Sequence, residues 1–223
     1  MLLLELSDYH LDAIGAGSDF SNVYFGLSKS DICQIQTDST DDVHNFLKAL
    51  ATLVYPISGS YRFMGEEVNF SDYRNLLSIK KKIGYIGQDA TMVSNRTIRE
   101  NLLLMKSYHE NSLSASLDEK ALRLCEMSNL HDKLDARPGE LRSVDLRMAI
   151  AIRELTKSFD VLLLDCPEDY FGHSAFDPFN EIFQNVEHSG KGIVFFSRDH
   201  DFARHYANRK VSIVKGALTK IPL

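Results

Sequence analysis

Tryptophan is absent from these 223 residues, proline occurs five times and cysteine three times. Cys33, Cys125 and Cys166 are odd in number and form no CxxC or CxH spacing, which argues against a disulfide framework or a zinc site and for reduced thiols in a cytoplasmic chain. No apolar run approaches the ~20 residues that a membrane-spanning helix needs. The opening MLLLELSDYH has four apolar residues before a glutamate, too short for a signal peptide. Excess basic charge is also missing. The net charge of −6 and pI near 5.7 leave no electrostatic footprint for gripping nucleic acid or anionic lipid. The one local candidate, IKKKIG at 79–84, reads as a solvated edge leading into a strand. Glycine is missing at an informative place. DICQIQTDSTDDVHNFLKAL, from Asp31 to Leu50, has the outline of a strand, a tight loop and a helix but contains no glycine, and its one lysine, Lys48, lies well inside the helix.

What is present is ordinary globular material, 44% hydrophobic and 25% charged, enough for one large domain. Period-two patterning predicts half-buried strands at 21–27, 31–36 and 60–64. Denser apolar runs at 83–86, 160–165 and 193–197 predict central strands covered on both faces. Helical patterning follows at 41–53, 118–128, 143–157, 177–188 and 200–207. Strands alternating with helices imply a largely parallel sheet wrapped in helices. The stretch 95–157, almost all helix and loop, reads as a helical insertion between two core strands, with HENSLSASLDEK at 109–120 as a loop leading into a capped helix.

The order and spacing of six segments resemble the ATP-binding subunit of ABC transporters over nearly the whole chain. NVYFGLSKSDICQIQ at 22–36 resembles the strands that lead into Walker A, and YPISGSYRFMGEEV at 55–68 the proline- and glycine-containing hairpin region. IGYIGQDATMVSNRTIRENLLL at 83–104 resembles the Q-loop and the helix after it, with Gln88 in the glutamine's place. RPGELRSVDLRMAIAIREL at 137–155 resembles the signature region, FDVLLLDCP at 159–167 Walker B, and GIVFFSRDHDFARHYANRKVSIVKGAL at 192–218 the H-loop and closing strands. The resemblance implies an α/β, ABC-type P-loop NTPase fold: a mostly parallel RecA-like sheet, an N-terminal antiparallel β part and an inserted helical subdomain. As a single domain it would divide into a core over 1–94 and 158–223 and a helical subdomain over 95–157.

Set against the family's motifs, the site residues depart one after another. Thr37, Thr40 and Asp42 stand where a phosphate loop has glycines, whose backbones accept positive φ and approach phosphate closely. A side chain in left-handed geometry costs ~1–2 kcal/mol. Val43 stands at the lysine position and His44 at the magnesium-binding hydroxyl position. Asp41 and Asp42 would face the polyphosphate, and one carboxylate about 4 Å from a phosphate charge costs roughly 4 kcal/mol at an effective dielectric near 20. Alternatively, Ser39, Thr40, Asp41 or Asp42 caps the helix and supplies its N-terminus with a covalent anion. Asp165 of Walker B is kept and would serve magnesium if a magnesium–nucleotide bound, but Cys166 replaces the catalytic glutamate and is unsuited as a general base for water. Glu168 and Asp169 are shifted carboxylates beyond Pro167. Arg198 replaces the switch histidine, and RDHD at 198–201 reads as a solvated turn into a helix rather than a metal cluster. The signature becomes Leu141-Arg142-Ser143-Val144-Asp145, in which Ser143 and Arg142 would touch phosphate while Val144 and Asp145 oppose approach. SAFDP at 174–178 weakly resembles the D-loop, and Tyr9 is at a plausible distance for stacking adenine, although a core tyrosine fits the sequence equally.

The expected function is a degenerate, non-catalytic ABC ATP-binding-type subunit. It would dock on transmembrane transporter subunits at the inner face of the membrane and pair with a second ABC ATP-binding subunit. No nucleic-acid partner, membrane insertion or cofactor is expected, and ATP with Mg2+ would enter only at a residually active site. An ABC-fold interaction scaffold outside transport, and an ATPase with unconventional site residues, are the alternatives.

Overall fold

Ten residues at the start, Leu2–Leu11, form the longest strand, β1, and bury Leu3, Leu4, Leu6, Tyr9 and Leu11. The computed structural model describes residues 2–110, 116–171 and 182–221. β1 pairs antiparallel with β2 (Phe20–Ser28) on one side and β4 (Ser58–Phe63) on the other, and β5 (Glu66–Glu67) extends the edge. The second sheet has the order β10-β9-β3-β8-β7-β6. Its strands are β3 (Ile32–Thr37), β6 (Ile83–Ile86), β7 (Val161–Asp165), β8 (Gly192–Phe196), β9 (Arg209–Val214) and β10 (Ala217–Ile221). All neighbours in it run parallel except β9 and β10. This is the architecture expected from the resemblance: a mostly parallel sheet beside an antiparallel β part.

β7 and β8 are buried at every residue, as expected for strands with helices or sheet on both faces. Alternation sends Leu163 and Val194 into one core with Leu4, Phe25 and Phe46, beneath the antiparallel sheet and α1 (Thr40–Leu50). The neighbouring Leu162, Ile193 and Phe195 enter a second core on the other face. That core is closed by α3 (Ile98–Glu110), α4 (Glu119–Met127) and α5 (Ser143–Leu155), which lie in the chain between β6 and β7. Asp118 caps α4 by accepting the Ala121 N–H at 2.8 Å.

Two elements differ from the sequence reading. Lys80 does not approach a strand edge but ends a helix, α2 (Tyr73–Lys80), which Asp72 caps; Lys82 pairs with Asp160 at 3.2 Å just before β6. Of the helix expected over 177–188, the described residues contain helical residues at 182–184 and, after a turn at 185, α7 (Val186–Ser189); the SAFDP motif lies outside them. The remaining helices are short: α6 (Glu168–Phe171) and α8 (His200–Tyr206).

The loop between β6 and α3 is held from inside. Asn101 is fully buried; its Oδ1 accepts the Val93 N–H at 2.8 Å, and its Nδ2 donates to Val93 O at 3.1 Å and Thr97 O at 2.9 Å. Asn101→Ala removes these three hydrogen bonds and leaves a cavity in their place, so it is expected to lower unfolding stability by about 2 kcal/mol, read as a shifted urea midpoint. An unchanged midpoint would show that the loop does not depend on this side chain.

Candidate functional site

The loops after β3, β6, β7 and β8 emerge at one end of the parallel sheet, where open α/β sheets hold their ligands. The first is the glycine-free turn into α1. Thr37 Oγ1 accepts the Ser39 N–H at 3.0 Å and donates to Ser39 O at 3.0 Å, and Ser39 Oγ caps α1 by accepting the Asp42 N–H at 3.3 Å. None of residues 37–42 has positive φ. The turn therefore escapes the strain expected of a phosphate-loop path without glycine by taking an ordinary strand–turn–helix path. The cap is Ser39, not an aspartate.

Asp42 departs further from expectation. Its carboxylate does not face the cradle but is fully buried, accepting the Ser18 N–H at 2.5 Å and the Ser18 hydroxyl at 3.1 Å. One turn on, Asn45 Nδ2 donates to Ile14 O at 2.9 Å. Three residues apart on a helix, these side chains share a face, and together they strap the β1–β2 loop across the start of α1. Gly17 is needed there, because a Cβ would lie 2.5 Å from Asn45 Nδ2. Only Thr40 and Asp41 of the first turn, with Asp38 before it, remain exposed.

Val43 is fully buried in the first core. His44 places imidazole Nδ1 against Oδ2 of Asp165, whose side chain is 1% exposed. Burial raises the Asp165 carboxyl above its ordinary range, and the adjacent His44 is the largest opposing influence, followed by the Gln88 backbone and the Cys166 thiol. Lys48, the helix's own cation, is committed to Asp89 at 2.7 Å.

Cys166 is buried with φ +50 and donates its backbone N–H to Phe196 O at 2.9 Å. Burial pushes its thiol up to about 12, with the nearby Asp165 and Glu168 charges acting in the same direction. At neutral pH it is a protonated thiol. The shifted carboxylates are both engaged: Glu168 accepts from Ser197 Oγ at 2.9 Å and the Arg198 N–H at 2.7 Å. Asp169 accepts the Arg198 guanidinium at 2.6 Å and Gln88 Nε2 at 3.4 Å. Arg147 of α5 donates to Asp169 O at 3.0 Å, and Tyr170 donates its hydroxyl to Gly87 O. The Q-loop, Walker B turn, H-loop and α5 are thus joined by one polar network. Gln88 is exposed rather than buried, and it shares a cavity of about 360 Å³ with Ser143 and Asp169.

Asp145 also departs from expectation. Its carboxylate is held by Arg142 Nε at 2.9 Å and Lys133 Nζ at 2.9 Å and is largely buried, whereas Val144 stays half-exposed. Tyr9 is 1% exposed in β1, so it is a core tyrosine and not a stacking surface. In RDHD, Asp199 caps α8 by accepting the Asp201 and Phe202 N–H groups, and His200 is exposed. Among the described residues no group of three His, Cys, Asp or Glu side chains is placed to hold a metal ion.

Thr37, Thr40, Asp42, Val43, His44 and Asp165 therefore gather around α1, and Gln88, Ser143, Cys166 and Arg198 around the neighbouring loops. Ser18, Asn45, Arg147 and Ser197 were not singled out in the sequence. The Asp42–Asn45 spacing was the one visible signal for the strap.

This chain belongs to the ABC transporter family, whose model matches residues 45–168, more than half of its length. Over 144 residues, 65% of the chain, it is 29% identical to the methionine import ATP-binding protein MetN of Haemophilus influenzae. Over 206 residues, 92% of the chain, it is 26% identical to the macrolide export ATP-binding/permease protein MacB of Campylobacter jejuni. These matches span 41% and 32% of the two relatives. The fold superposes on a bacterial ABC transporter cassette, MJ0796, solved as a dimer, with TM-score 0.81, 19% identity and 99% of each chain covered. The chain is thus an ABC transporter family domain with the cassette fold, and among its described residues no helix is long and apolar enough to cross a membrane.

Two measurements check the site. Asp42→Ala is expected to speed amide exchange at Ser18 at least tenfold while Asp41→Ala leaves it unchanged; equal protection in both variants contradicts the strap. The second concerns Asp145, which its hydrogen bond to Arg142 and then Lys133 hold down at about 2. A carboxyl depressed below its unfolded value near 3.9 contributes stability that is full above that value and disappears as pH falls through the folded one. Wild type is therefore expected to lose thermal stability between about pH 4 and 2 more steeply than Asp145→Asn. Parallel melting curves would contradict the pairing.

Proposed function

We propose that this chain is a non-hydrolysing ABC cassette subunit that docks on transmembrane subunits at the inner membrane face and pairs with another ABC ATP-binding subunit. The observation that carries the reading is His44 against Asp165, an imidazole in the position from which the family's hydroxyl serves magnesium. The residues present do not fit a magnesium–triphosphate group. The lysine's place holds a buried valine, Lys48 is paired, and the exposed carboxylates of Asp38 and Asp41 stand beside the end of α1. Each such carboxylate about 4 Å from a phosphate charge would cost roughly 4 kcal/mol at an effective dielectric near 20. Among the described residues neither shifted carboxylate is free to replace the catalytic glutamate, because Glu168 and Asp169 are bound to Ser197 and Arg198.

Support for docking comes from exposure. Gln88 is accessible on the Q-loop, and the α1–β4 connection exposes Leu53, Tyr55 and Ile57 at 50%, 56% and 63%. Neighbouring exposed apolar side chains of this kind mark surfaces that other chains cover. The named relatives include an importer and an exporter component, so direction and cargo are left unassigned. Calorimetry of the purified chain with Mg-ATP is expected to give no binding heat at micromolar nucleotide. Micromolar affinity, with ATP turnover abolished by Asp165→Ala, would overturn the reading in favour of an ATPase with unconventional residues.

A further inference from the structure

A second cavity, of about 410 Å³, lies at the opposite end of the parallel sheet from the site. Its wall includes Lys82, just before β6, and Thr156 and Ser158, on the way from α5 into β7, so it sits where these parallel strands begin. It shares no lining residue with the cavity of Gln88, Ser143 and Asp169. Its volume falls within the roughly 300–1,000 Å³ that small-molecule sites occupy. Leu102 and Met105 of α3, with Leu117 just before α4, give it an apolar lining.

Around this apolar space the charge is mostly of one sign. Lys81, Lys82, Lys106, Arg153 and Lys157 line it, against one carboxylate, Asp118, which already accepts the Ala121 N–H at 2.8 Å. Two carboxylates outside the lining offset these cations only in part. Lys82 meets Asp160 at 3.2 Å, but the largely buried Arg153 and Lys157 share the single carboxylate of Glu154. Lys106 Nζ finds a neutral acceptor, Ser116 O at 3.0 Å, and Lys81 forms no ion pair among the described residues. In a chain of net charge −6 this surplus is a local feature. The basic run at 79–84 thus places two of its three lysines on the rim of an apolar cavity. Beside low-dielectric walls, such cations attract an anion more strongly than they do in open solvent.

We propose that this cavity binds an amphiphilic organic anion, of which a medium-chain acyl carboxylate is the simplest. The tail lies against Leu102, Met105 and Leu117, and the head sits among Lys81, Lys106 and Lys157. A bare inorganic anion would leave the apolar lining unfilled, and a neutral apolar molecule would leave the surplus charge unanswered. The inference goes beyond the cassette reading, because this end of the sheet carries none of the nucleotide-site positions.

Calorimetry and amide NMR of the full chain, with octanoate as the probe, test this. Octanoate is expected to bind saturably, moving the amides of Lys81, Met105, Lys106 and Leu117 and leaving those of His44 and Gln88 in place. Each buried methylene is worth about fourfold in affinity, so octanoate is expected to bind at least tenfold more tightly than butyrate. Octanol, which has the tail without the charge, and inorganic phosphate, which has the charge without the tail, are each expected to bind more weakly than octanoate. Lys81→Glu and Lys106→Met are each expected to weaken octanoate roughly two- to fivefold, and added salt to weaken it further. Lys220→Glu on β10 is expected to leave it unchanged, and circular dichroism verifies that each variant is folded. No saturable binding, equal affinity for octanol, shifts confined to other surfaces, or indifference to both lysine variants would overturn the inference. So would flotation of the chain with anionic phospholipid vesicles in the absence of octanoate binding, which would assign the lysines to a membrane surface.

Discussion

The site end of this molecule depends on one buried contact, the His44 imidazole against the Asp165 carboxylate. Asp165 closes β7, an interior strand between β8 and the β6 edge, where its side chain is almost wholly cut off from water. A carboxylate so placed needs a cationic or hydrogen-bonding neighbour, and removing one member of such a buried pair typically costs ~3–5 kcal/mol. In a magnesium-dependent relative that neighbour would be the metal with its water. Here α1 brings the partner itself, because Val43 and Phe46–Leu47 anchor the helix in the core and leave His44 facing β7.

The same substitution of internal for external partners recurs around the site. Asp42 takes two hydrogen bonds from Ser18 and fixes the β1–β2 loop, a job no glycine at that position could do. Arg198 joins the turn after β8 to the carboxylates after β7, and Gln88 and Arg147 extend the network to the Q-loop and α5. Cys166 keeps a left-handed backbone without an ionisable role, since its thiol stays protonated at neutral pH. Asp42, Arg198 and Cys166 thus each have a structural place in the fold.

Much of the sheet was legible in the sequence because its strands are short, dense and uninterrupted: 83–86 was read to the residue, and β7 and β8 to within one. β1 was not, because its register slips between Leu2 and Leu4 and between Leu6 and Tyr9, with Asp8 at positive φ, so the period-two signal breaks. α2 was hidden by Lys80–Lys82, which look like strand edge when the Asp72 cap is overlooked. At the site, the residue types alone did not report where their side chains point. Ser18 lies 24 residues from Asp42, and no local pattern reports a contact of that separation. Asp145 misled similarly, because Lys133 meets it only after the chain folds back through two tight turns.

The most direct test is manganese-enhanced NMR of the assigned His44 ring. Mn2+ with ATP is added in excess while the ring signals are followed. If the imidazole holds the metal's position on Asp165, those signals stay sharp and unshifted. Selective broadening of the His44 ring, showing a bound metal–nucleotide within a few ångströms, would contradict the account.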